Sequence, residues 1–290
     1  MIVVTGASGI TGLAVLRALG RCGTSSAGLR AVVGRQGSAV AVRAAGAGEV
    51  VVGDLESPAT ARHALQGAKK LYHICPRMSP SELQIGRHLI AAGIAAGLEH
   101  FVFHSLVHAQ CDAMGHHRDK RLVEEALLES PLPYTFMQPT MYMQNLLQDW
   151  GEVREKGVWR LPYSMHARMS LVDLEDVAEA AARVLTEPGW DGGAFELCSG
   201  ERLTRVQMCE AIAAALGRDV RAQSYPVEEW KPLGARSRTP WQVERVAAMF
   251  GHYDRFGLHG GNGRVLGLLL GREPTRYAAF VQRLVHGGAL

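Results

Sequence analysis

The sequence lacks the features of a disulfide-stabilised, zinc-binding, membrane-spanning or nucleic-acid-binding protein. Its five cysteines are scattered and odd in number, and none form a Cys-x-x-Cys pair, so neither a disulfide framework nor a zinc site is expected. Lysine and arginine exceed aspartate and glutamate only by 31 to 28, which provides no basic surface for nucleic acid. The longest apolar stretch, 89–98, is too short to span a bilayer, so no membrane association is expected.

The first residues, MIVVTGASG, also lack the basic segment and apolar core of a secretory signal. Together with the cysteine usage, this predicts a protein of a reducing compartment, the cytoplasm. A composition of 47% hydrophobic and 20% charged residues in a 290-residue chain is typical of one large or two ordinary globular domains. Glycine is abundant, with 33 residues, which indicates many tight turns and close backbone approaches.

Short apolar runs alternate with helical segments from the first residue onward. Strands are predicted at 2–5, 29–33, 49–52, 70–75, 100–104 and 134–137. Helices are predicted near 10–22, 37–45, 57–67, 81–97 and 117–130. Strands without polar alternation, separated by helices, predict a doubly wound parallel α/β sheet of the Rossmann type.

The second half of the chain has a weaker pattern. We predict a helix that opens near Met141, an irregular stretch at 151–170, and a less regular, tryptophan-containing tail that ends in a helix near 274–285. Between them, strands are predicted at 169–172 and 194–198, and helices at 173–185 and 205–216. The predicted domains are an NAD(P)-binding Rossmann domain, 1–150, and a smaller α+β substrate-binding lobe, 151–290, interleaved with the sheet of the first.

A glycine-rich turn connects the first predicted strand to the first predicted helix. Gly6, Gly9 and Gly12 recur at intervals of three, which permits a sharp turn, a close backbone approach to a pyrophosphate, and tight helix–strand contact. The helix N-terminus adds unpaired N–H groups and partial positive charge. The predicted cofactor-binding residues of the turn are Gly6, Ser8, Gly9, Ile10, Thr11 and Gly12.

The ends of the next strands predict the cofactor's identity. Arg35 follows the second strand, where an arginine pairs with a 2′-phosphate, and no carboxylate occurs before Glu49, so NADP(H) is preferred over NAD(H). Asp54 and Leu55 follow the third strand, where a carboxylate can accept from the adenine amino group; the alternative for Asp54 is an N-cap of the next helix. Ile74, Cys75 and Pro76 end the fourth strand and are predicted to lie beside the cofactor.

Several segments together resemble the NmrA-like family of atypical short-chain dehydrogenases. They are the opening VTGASGITG, the position of Arg35, Gly53-Asp54-Leu55, the segment HHRDKRLVEEALLESPLPYTFMQPTMYMQN, the segment LVDLEDVA at 171–178, and the tail LLLGREPTRYAAFV. The resemblance implies an NAD(P)-binding Rossmann fold over almost the whole chain. It leaves the reaction open, because the family includes quinone and dye reductases, plant reductases of phenylpropanoid-type substrates, and non-catalytic nucleotide sensors.

The resemblance also implies roles for particular residues. It places Lys120 near the nicotinamide ribose and the segment from Pro139 to Asn145 at the substrate pocket, with Pro139 near the cofactor. Gln138 departs from the arginine that many relatives carry before the proline, so no anionic substrate contact is implied there. Tyr142, Met143 and Asn145 are the predicted substrate-binding residues of this segment; core packing is the alternative for its methionines.

The tyrosine of the usual Tyr-x-x-x-Lys pair is missing, because His116 stands four residues before Lys120. An imidazole at that position shares a helix face with the lysine and is a competent general acid near neutral pH, whereas a solvated or capping histidine is the alternative. Ser105 follows the fifth strand, where a hydroxyl can orient a substrate carbonyl, and His108 is predicted to contact substrate. No carboxylate or thiol supports these histidines as metal ligands, so no metal is predicted.

These patterns favour an NADPH-dependent reductase of an apolar, aromatic or quinone-like carbonyl or conjugated substrate, with Lys120, His116 and Ser105 as candidate catalytic residues. Two alternatives stay open: a redox sensor that binds NADP(H) without turnover and signals through a protein partner, and non-reductive chemistry such as isomerisation or dehydration. A small-molecule substrate is expected, a protein partner only for the sensor, and a homodimer is an open alternative.

Overall fold

The computed structural model describes residues 1–287, and they form two compact units that interleave along the chain. The first unit comprises 1–110, 117–138 and 177–195, and the second comprises 111–116, 139–176 and the chain from 196 onward. The later lobe, 151–290, was predicted to interleave with the sheet of the first domain, and 177–195 of that range belong to the first unit.

The elements alternate between strands and helices along the chain. The strands are β1 (Ile2–Val4), β2 (Leu29–Val33), β3 (Glu49–Val52), β4 (Lys70–His73), β5 (His100–His104), β6 (Tyr134–Pro139), β7 (Met141–Tyr142), β8 (Val158–Leu161), β9 (Met169–Val172), β10 (Gly193–Leu197), β11 (Arg202–Leu203) and β12 (Arg221–Ser224). The helices are α1 (Ile10–Arg21), α2 (Ala39–Ala44), α3 (Pro58–Leu65), α4 (Glu82–Ala96), α5 (Gly115–Leu128), α6 (Trp150–Lys156), α7 (Leu174–Thr186), α8 (Arg205–Leu216), α9 (Val227–Gly234), α10 (Pro240–Phe256), α11 (Gly263–Leu270) and α12 (Tyr277–Val285).

The first unit contains a seven-stranded sheet in the order β3-β2-β1-β4-β5-β6-β10. Strands β1 to β6 pair in parallel; Val4 lies opposite Ala31 and Tyr72, and Phe103 lies opposite His73 and Phe136. The reversal of strand order beside β1 is the switch point at which doubly wound sheets bind their ligands. The prediction of a doubly wound parallel sheet is therefore confirmed.

Apolar side chains on both faces of this sheet explain why its strands read as continuous hydrophobic runs. Leu71, Phe101 and Phe103 are fully buried with Leu65 of α3 and Leu89 of α4 on one face. Burial of this kind contributes roughly 1.5–3 kcal/mol for each large aliphatic or aromatic side chain. The core fixes the carboxyl ends of the strands, from which the candidate functional residues project.

The second unit contains two small sheets and most of the later helices. Its sheets are β11-β9-β7 and β12-β8. Thr204 caps α8 in a capping box with Gln207, and Thr239 caps α10 in the same way with Gln242. Within residues 1–287, no helix is both long enough and apolar enough to cross a membrane.

Three predictions for the second half of the chain are wrong. No α-helix opens at Met141: Met141 and Tyr142 form strand β7 in parallel with Leu171 and Val172, so tertiary pairing overrides local helix propensity. A 3₁₀ helix at Met143–Gln148 follows. The stretch at 151–170, predicted to be irregular, holds most of α6 and all of β8. The tryptophan-containing tail is not irregular but holds α9, α10 and α11, and Pro232 inside α9 weakens the sequence signal there.

The acidic residues of the segment LVDLEDVA anchor the carboxyl-terminal part of the second unit. Asp173 is fully buried and accepts a hydrogen bond at 2.7 Å from the amide of Gln144, and it pairs with Arg283 at 2.5 Å. Asp176 accepts from Arg272 at 2.8 Å and from the backbone N–H of Thr275 at 2.6 Å. The motif therefore stabilises the fold.

Candidate active site

The glycine turn forms a compact loop between β1 and α1. Gly6 has a φ of 59°, a conformation that glycine adopts without strain, and its carbonyl accepts a hydrogen bond from the N–H of Gly9 at 3.1 Å. Gly9 is the N-cap of α1, which has no side-chain cap and no acidic residue in its first turn. The unpaired N–H groups of that turn and the partial positive charge of the helix fit a pyrophosphate.

The three glycines of the turn have different surroundings. A Cβ atom at Gly6 would lie 2.7 Å from the carbonyl oxygen of Ile74, and one at Gly12 would lie 2.5 Å from the Cα of Ala7. A Cβ atom at Gly9 would meet only the Gly6 oxygen, at 3.4 Å. Gly6 and Gly12 are therefore required by the fold, whereas Gly9 is exposed and keeps clear the space that a pyrophosphate would fill.

The remaining residues of the turn divide by exposure. Ser8 is exposed, and the side chain of Ile10 is 52% exposed although it is apolar. Thr11 is buried in the first turn of α1. An exposed isoleucine at the start of this helix is consistent with the predicted contact to a bound dinucleotide.

The residues that follow β2 and β3 lie at the surface of the first unit. Arg35 is exposed, and within residues 1–287 its guanidinium makes no hydrogen bond or ion pair with another residue. Asp54 is also exposed; its carboxylate accepts from the N–H of Glu56 at 2.9 Å, and α3 begins only at Pro58, so Asp54 does not cap the helix. Leu55, by contrast, is buried in the core. Arg35 therefore offers a guanidinium whose donors are available to a phosphate.

Lys120, on α5, is the most constrained of the predicted catalytic residues. Its ammonium forms an ion pair with Glu82 at 2.9 Å and donates to the backbone oxygen of His104 at 2.9 Å. It also lies 4.8 Å from the centre of the Phe103 ring. Lys120 is thus held at the carboxyl end of β5, the edge at which ligands of such sheets bind.

Two buried histidines beside Lys120 stay neutral. His104 shares a hydrogen bond of 2.6 Å with the hydroxyl of Tyr72, and burial, assisted by the charge of Lys120, lowers the pKa of His104 to about 3. His73 lies 2.7 Å from the Thr5 hydroxyl and stacks on Phe103; burial, again assisted by Lys120, lowers its pKa well below the usual value. Their neutrality leaves Lys120 as the positive charge of this region.

Ser105 is part of a polar group that includes a carboxylate the sequence analysis did not identify. Its backbone N–H donates to the oxygen of Met137 at 2.9 Å, and its side chain is buried. Burial raises the pKa of Glu124, whereas the neighbouring Ser105 and Gln138 side chains and the charge of Lys120 lower it. The Gln138 amide donates to Glu124 at 2.8 Å, so Gln138 stabilises a half-buried carboxylate of its own unit.

The loops after β4 and β5 contain the two non-glycine residues with positive φ among those described, Met78 at 52° and His108 at 60°. Such conformations are uncommon outside glycine and concentrate at functional sites. The backbone oxygen of His108 is 2.9 Å from Nδ1 of His117. Between β4 and Met78, Ile74 is half-buried, Cys75 buried and Pro76 exposed, and burial followed by the charge of Glu82 raises the pKa of the Cys75 thiol.

The other predicted site residues belong to the second unit. His116 lies in the first turn of α5 and Pro139 at the end of β6. Tyr142 and Asn145 are half-buried, whereas Met143 is 2% exposed, which favours packing over substrate contact. Within residues 1–287, no group of three or more His, Cys, Asp or Glu side chains is arranged to hold a metal ion.

The partners that hold the predicted residues could not be identified from the sequence. Glu82 pairs with Lys120, and Glu124 accepts a hydrogen bond from Gln138. Glu124 stands in a segment that carries the family resemblance, whereas Glu82 does not. The available signal was weak: a glutamate four residues after Lys120, and polar residues at the ends of otherwise apolar strands. Only the folded arrangement of the helices and strands brings these residues together.

The sheet order, the glycine turn after β1 and the exposed arginine after β2 define a dinucleotide-binding protein of the Rossmann class. Comparison with known families makes the assignment more specific. The NmrA-like family matches residues 1–271, and the chain belongs to this family. The resemblance inferred from the motifs is confirmed.

Characterised relatives cover most of the chain. The NAD(P)H azoreductase of Xenophilus azovorans is 31% identical over 234 residues, which span 80% of this chain and 79% of that protein. Quinone oxidoreductase 2 of Escherichia coli (strain K12) is 27% identical over 287 residues, 98% of each chain.

Solved structures share the fold. A crystal structure of an NADPH-dependent quinone oxidoreductase from Escherichia coli, complexed with NADPH, has a TM-score of 0.85 at 26% identity and covers 98% of this chain and 99% of that chain. The triphenylmethane reductase of Citrobacter sp., complexed with NADP(H), has a TM-score of 0.85 at 23% identity and covers 98% of this chain and 99% of that chain. At this identity the similarity shows only that the two proteins share a fold.

Proposed function

We propose that this protein is an NADPH-dependent reductase of an apolar, aromatic or quinone-like substrate. The observation that carries the proposal is the open glycine turn at Gly9 together with an exposed Arg35 and no carboxylate directly after β2. The names of the relatives agree with it, since azo compounds and quinones are both conjugated acceptors of reducing equivalents.

The chain's own residues divide the binding of the dinucleotide between them. The N-terminus of α1 and Gly9 receive the pyrophosphate, Arg35 pairs with the 2′-phosphate, and Asp54 accepts from the adenine amino group. Lys120 binds the nicotinamide ribose. When bound, NADPH supplies a hydride from C4 of its nicotinamide ring.

The proton for a reduced product has two candidate sources. One is His116, because an imidazole can donate a proton as a general acid, and the other is water, which protonates a stable enolate or phenolate without assistance. The charge of Lys120 stabilises negative charge that develops on the substrate in either case. Ser105, buried beside Glu124, acts by holding the carboxyl end of β5 in place.

A second candidate function is a non-catalytic NADP(H) sensor. The histidine at position 116, where the usual pair has a tyrosine, favours it. A sensor binds NADPH and NADP⁺ with different consequences for its association with a partner, and it oxidises NADPH no faster with acceptors than without them.

Two finer proposals concern the protein in the cell. All five cysteines are free thiols, which supports a reducing compartment and hence the cytoplasm. A homodimer is the second proposal. Light scattering at several protein concentrations tests it, and a constant monomer mass would contradict it.

The proposed reaction is tested by NADPH oxidation against a panel of quinones, azo dyes, enals and aromatic ketones. We expect turnover of at least one conjugated acceptor and a large loss in Lys120→Ala. Lys156→Ala, which removes an exposed lysine of the second unit paired with Glu152, is the control and should leave the rate unchanged.

A further inference from the structure

The ion pair between Glu82 and Lys120 is buried, unlike other ion pairs of the first unit. The side chains of Glu82 and Lys120 are 6% and 13% exposed, and the carboxylate oxygen lies 2.9 Å from the ammonium. The pair of Lys69 and Glu99, in the same unit, is 2.6 Å apart but about 60% exposed on both sides. A buried pair constrains both partners strongly, because an unpaired buried charge is costly, whereas an exposed pair contributes little.

Glu82 is placed to fix the direction of the Lys120 side chain. It is the first residue of α4, where the partial positive charge of the helix N-terminus favours a carboxylate. The carbonyl of His104 and the ring of Phe103 contact the ammonium from β5, so Glu82 contributes the anionic contact. The lysine therefore has one well-defined orientation before any ligand binds.

Glu82 also lies near the loop after β4. After burial, its negative charge is the next cause that raises the pKa of the Cys75 thiol. Cys75 is one of the three residues of this loop predicted to lie beside the cofactor. The carboxylate that pairs with Lys120 is therefore close to this loop as well.

We propose that Glu82 is a positioning residue that orients Lys120 for the nicotinamide end of the dinucleotide. This inference rests on the proposed binding of NADPH, in which Lys120 contacts the nicotinamide ribose. In this role Glu82 acts through Lys120 and not through a contact of its own with the cofactor. Its effect is confined to the nicotinamide half, because Arg35 and Asp54, at the ends of β2 and β3, serve the adenine half.

The test compares two ligands that share only the adenine half. Calorimetry measures the dissociation constants of NADPH and of 2′,5′-ADP for the wild type, Glu82→Gln and the exposed control Glu99→Gln. We expect Glu82→Gln to weaken NADPH binding about 10-fold, equivalent to about 1.4 kcal/mol. The reason is that the Lys120 side chain, no longer held by Glu82, must be ordered when the cofactor binds. We expect its affinity for 2′,5′-ADP, and both affinities of Glu99→Gln, to stay within about twofold of the wild type.

Two further variants separate positioning from general destabilisation. Glu82→Asp keeps the carboxylate and should recover most of the lost NADPH affinity. In a Lys120→Met background, Glu82→Gln should change NADPH affinity by less than about twofold, because a residue that acts through Lys120 has no separate effect. If Glu82→Gln alone fails to fold, the comparison in the Lys120→Met background still shows whether Glu82 acts through Lys120.

Several results would overturn the inference. They are equal weakening of NADPH and 2′,5′-ADP in Glu82→Gln, unchanged NADPH affinity in that variant, no recovery in Glu82→Asp, or a full further loss in the Lys120→Met background. A wild-type protein that binds neither ligand would overturn the proposed function itself and the inference with it. Failure of the positioning role alone leaves wild-type NADPH binding intact, so the two failures are distinguishable.

Discussion

Replacement of Gly9 separates the ligand-binding role of the glycine turn from its structural role. Gly9 is exposed, and a Cβ atom there would contact only the Gly6 oxygen at an ordinary 3.4 Å. Its φ of −75° suits any residue, so the backbone is not strained by Gly9→Ala or Gly9→Val, and the added Cβ atom meets no steric conflict. The same side chain would occupy the space in which a pyrophosphate approaches the N-terminus of α1.

The two effects of the substitution differ in magnitude. Loss of the glycine N-cap costs up to about 1 kcal/mol of stability, which lowers Tm by roughly 2–4 °C in a chain of this size. Exclusion of the pyrophosphate should weaken NADPH binding by about 100-fold or more, or about 2.7 kcal/mol. Gly9→Ala should lie between the wild type and Gly9→Val.

Gly12→Ala provides the opposite control. Its Cβ atom would lie 2.5 Å from the Cα of Ala7 and 2.6 Å from the oxygen of Gly6, so the backbone of the turn must shift. Overpacking of this kind costs roughly 1–3 kcal/mol or more, and Tm should fall accordingly. Thermal unfolding and calorimetry with NADPH measure both quantities. A folded Gly9→Val protein that binds NADPH within about threefold of the wild type would refute the reasoning.

Three further predictions follow from the same geometry. Wild-type protein should bind NADPH at least ~10-fold tighter than NADH, a difference of about 1.4 kcal/mol. Arg35→Ala should remove most of that preference without changing NADH affinity. Titrations that give equal affinities of the wild type for the two cofactors would contradict the role of Arg35. Lys120→Ala should reduce turnover by more than it weakens NADPH binding. His116→Phe should lower the rate roughly 10²-fold if His116 is the general acid. An active His116→Phe enzyme with an unchanged pH–rate profile would show that His116 takes no part in the mechanism. His104 has a pKa of about 6.5 in the unfolded chain and about 3 in the folded chain, so the unfolded chain binds the proton first as the pH falls. The free energy of unfolding, measured with urea, should therefore decrease below pH 6.5 by up to about 1.4 kcal/mol per pH unit. His104→Asn should lack the part of this decrease that His104 causes.

The first half of the fold was predictable because local signals and tertiary structure agree there. Strands at 29–33, 49–52 and 100–104 were predicted with the observed bounds, since buried parallel strands have a strong β-branched and apolar signature. The glycine turn likewise predicted where α1 begins, because its local sequence and the tertiary structure agree. The segment at Met141 failed, because its backbone is extended only through pairing with Leu171 and Val172, which no local pattern reveals.

The candidate site was predictable only in the residues that belong to motifs. The glycines, Arg35 and Lys120 stand at fixed positions relative to strands and helices, so their sequence context is sufficient. Glu82 lies 38 residues before Lys120, and its role depends on how α4 and α5 meet the strands between them. Long-range ion pairs of this kind require the folded structure.

The most direct test of the proposed function is the rate of NADPH oxidation by the purified protein in the presence of conjugated acceptors. We expect at least one quinone or azo dye to raise the rate well above that with NADPH alone. We also expect NADH to be a poorer donor and Lys120→Ala to lose most of this activity. Tight binding of NADPH with no acceptor-dependent oxidation across the panel would contradict a reductase and favour the sensor.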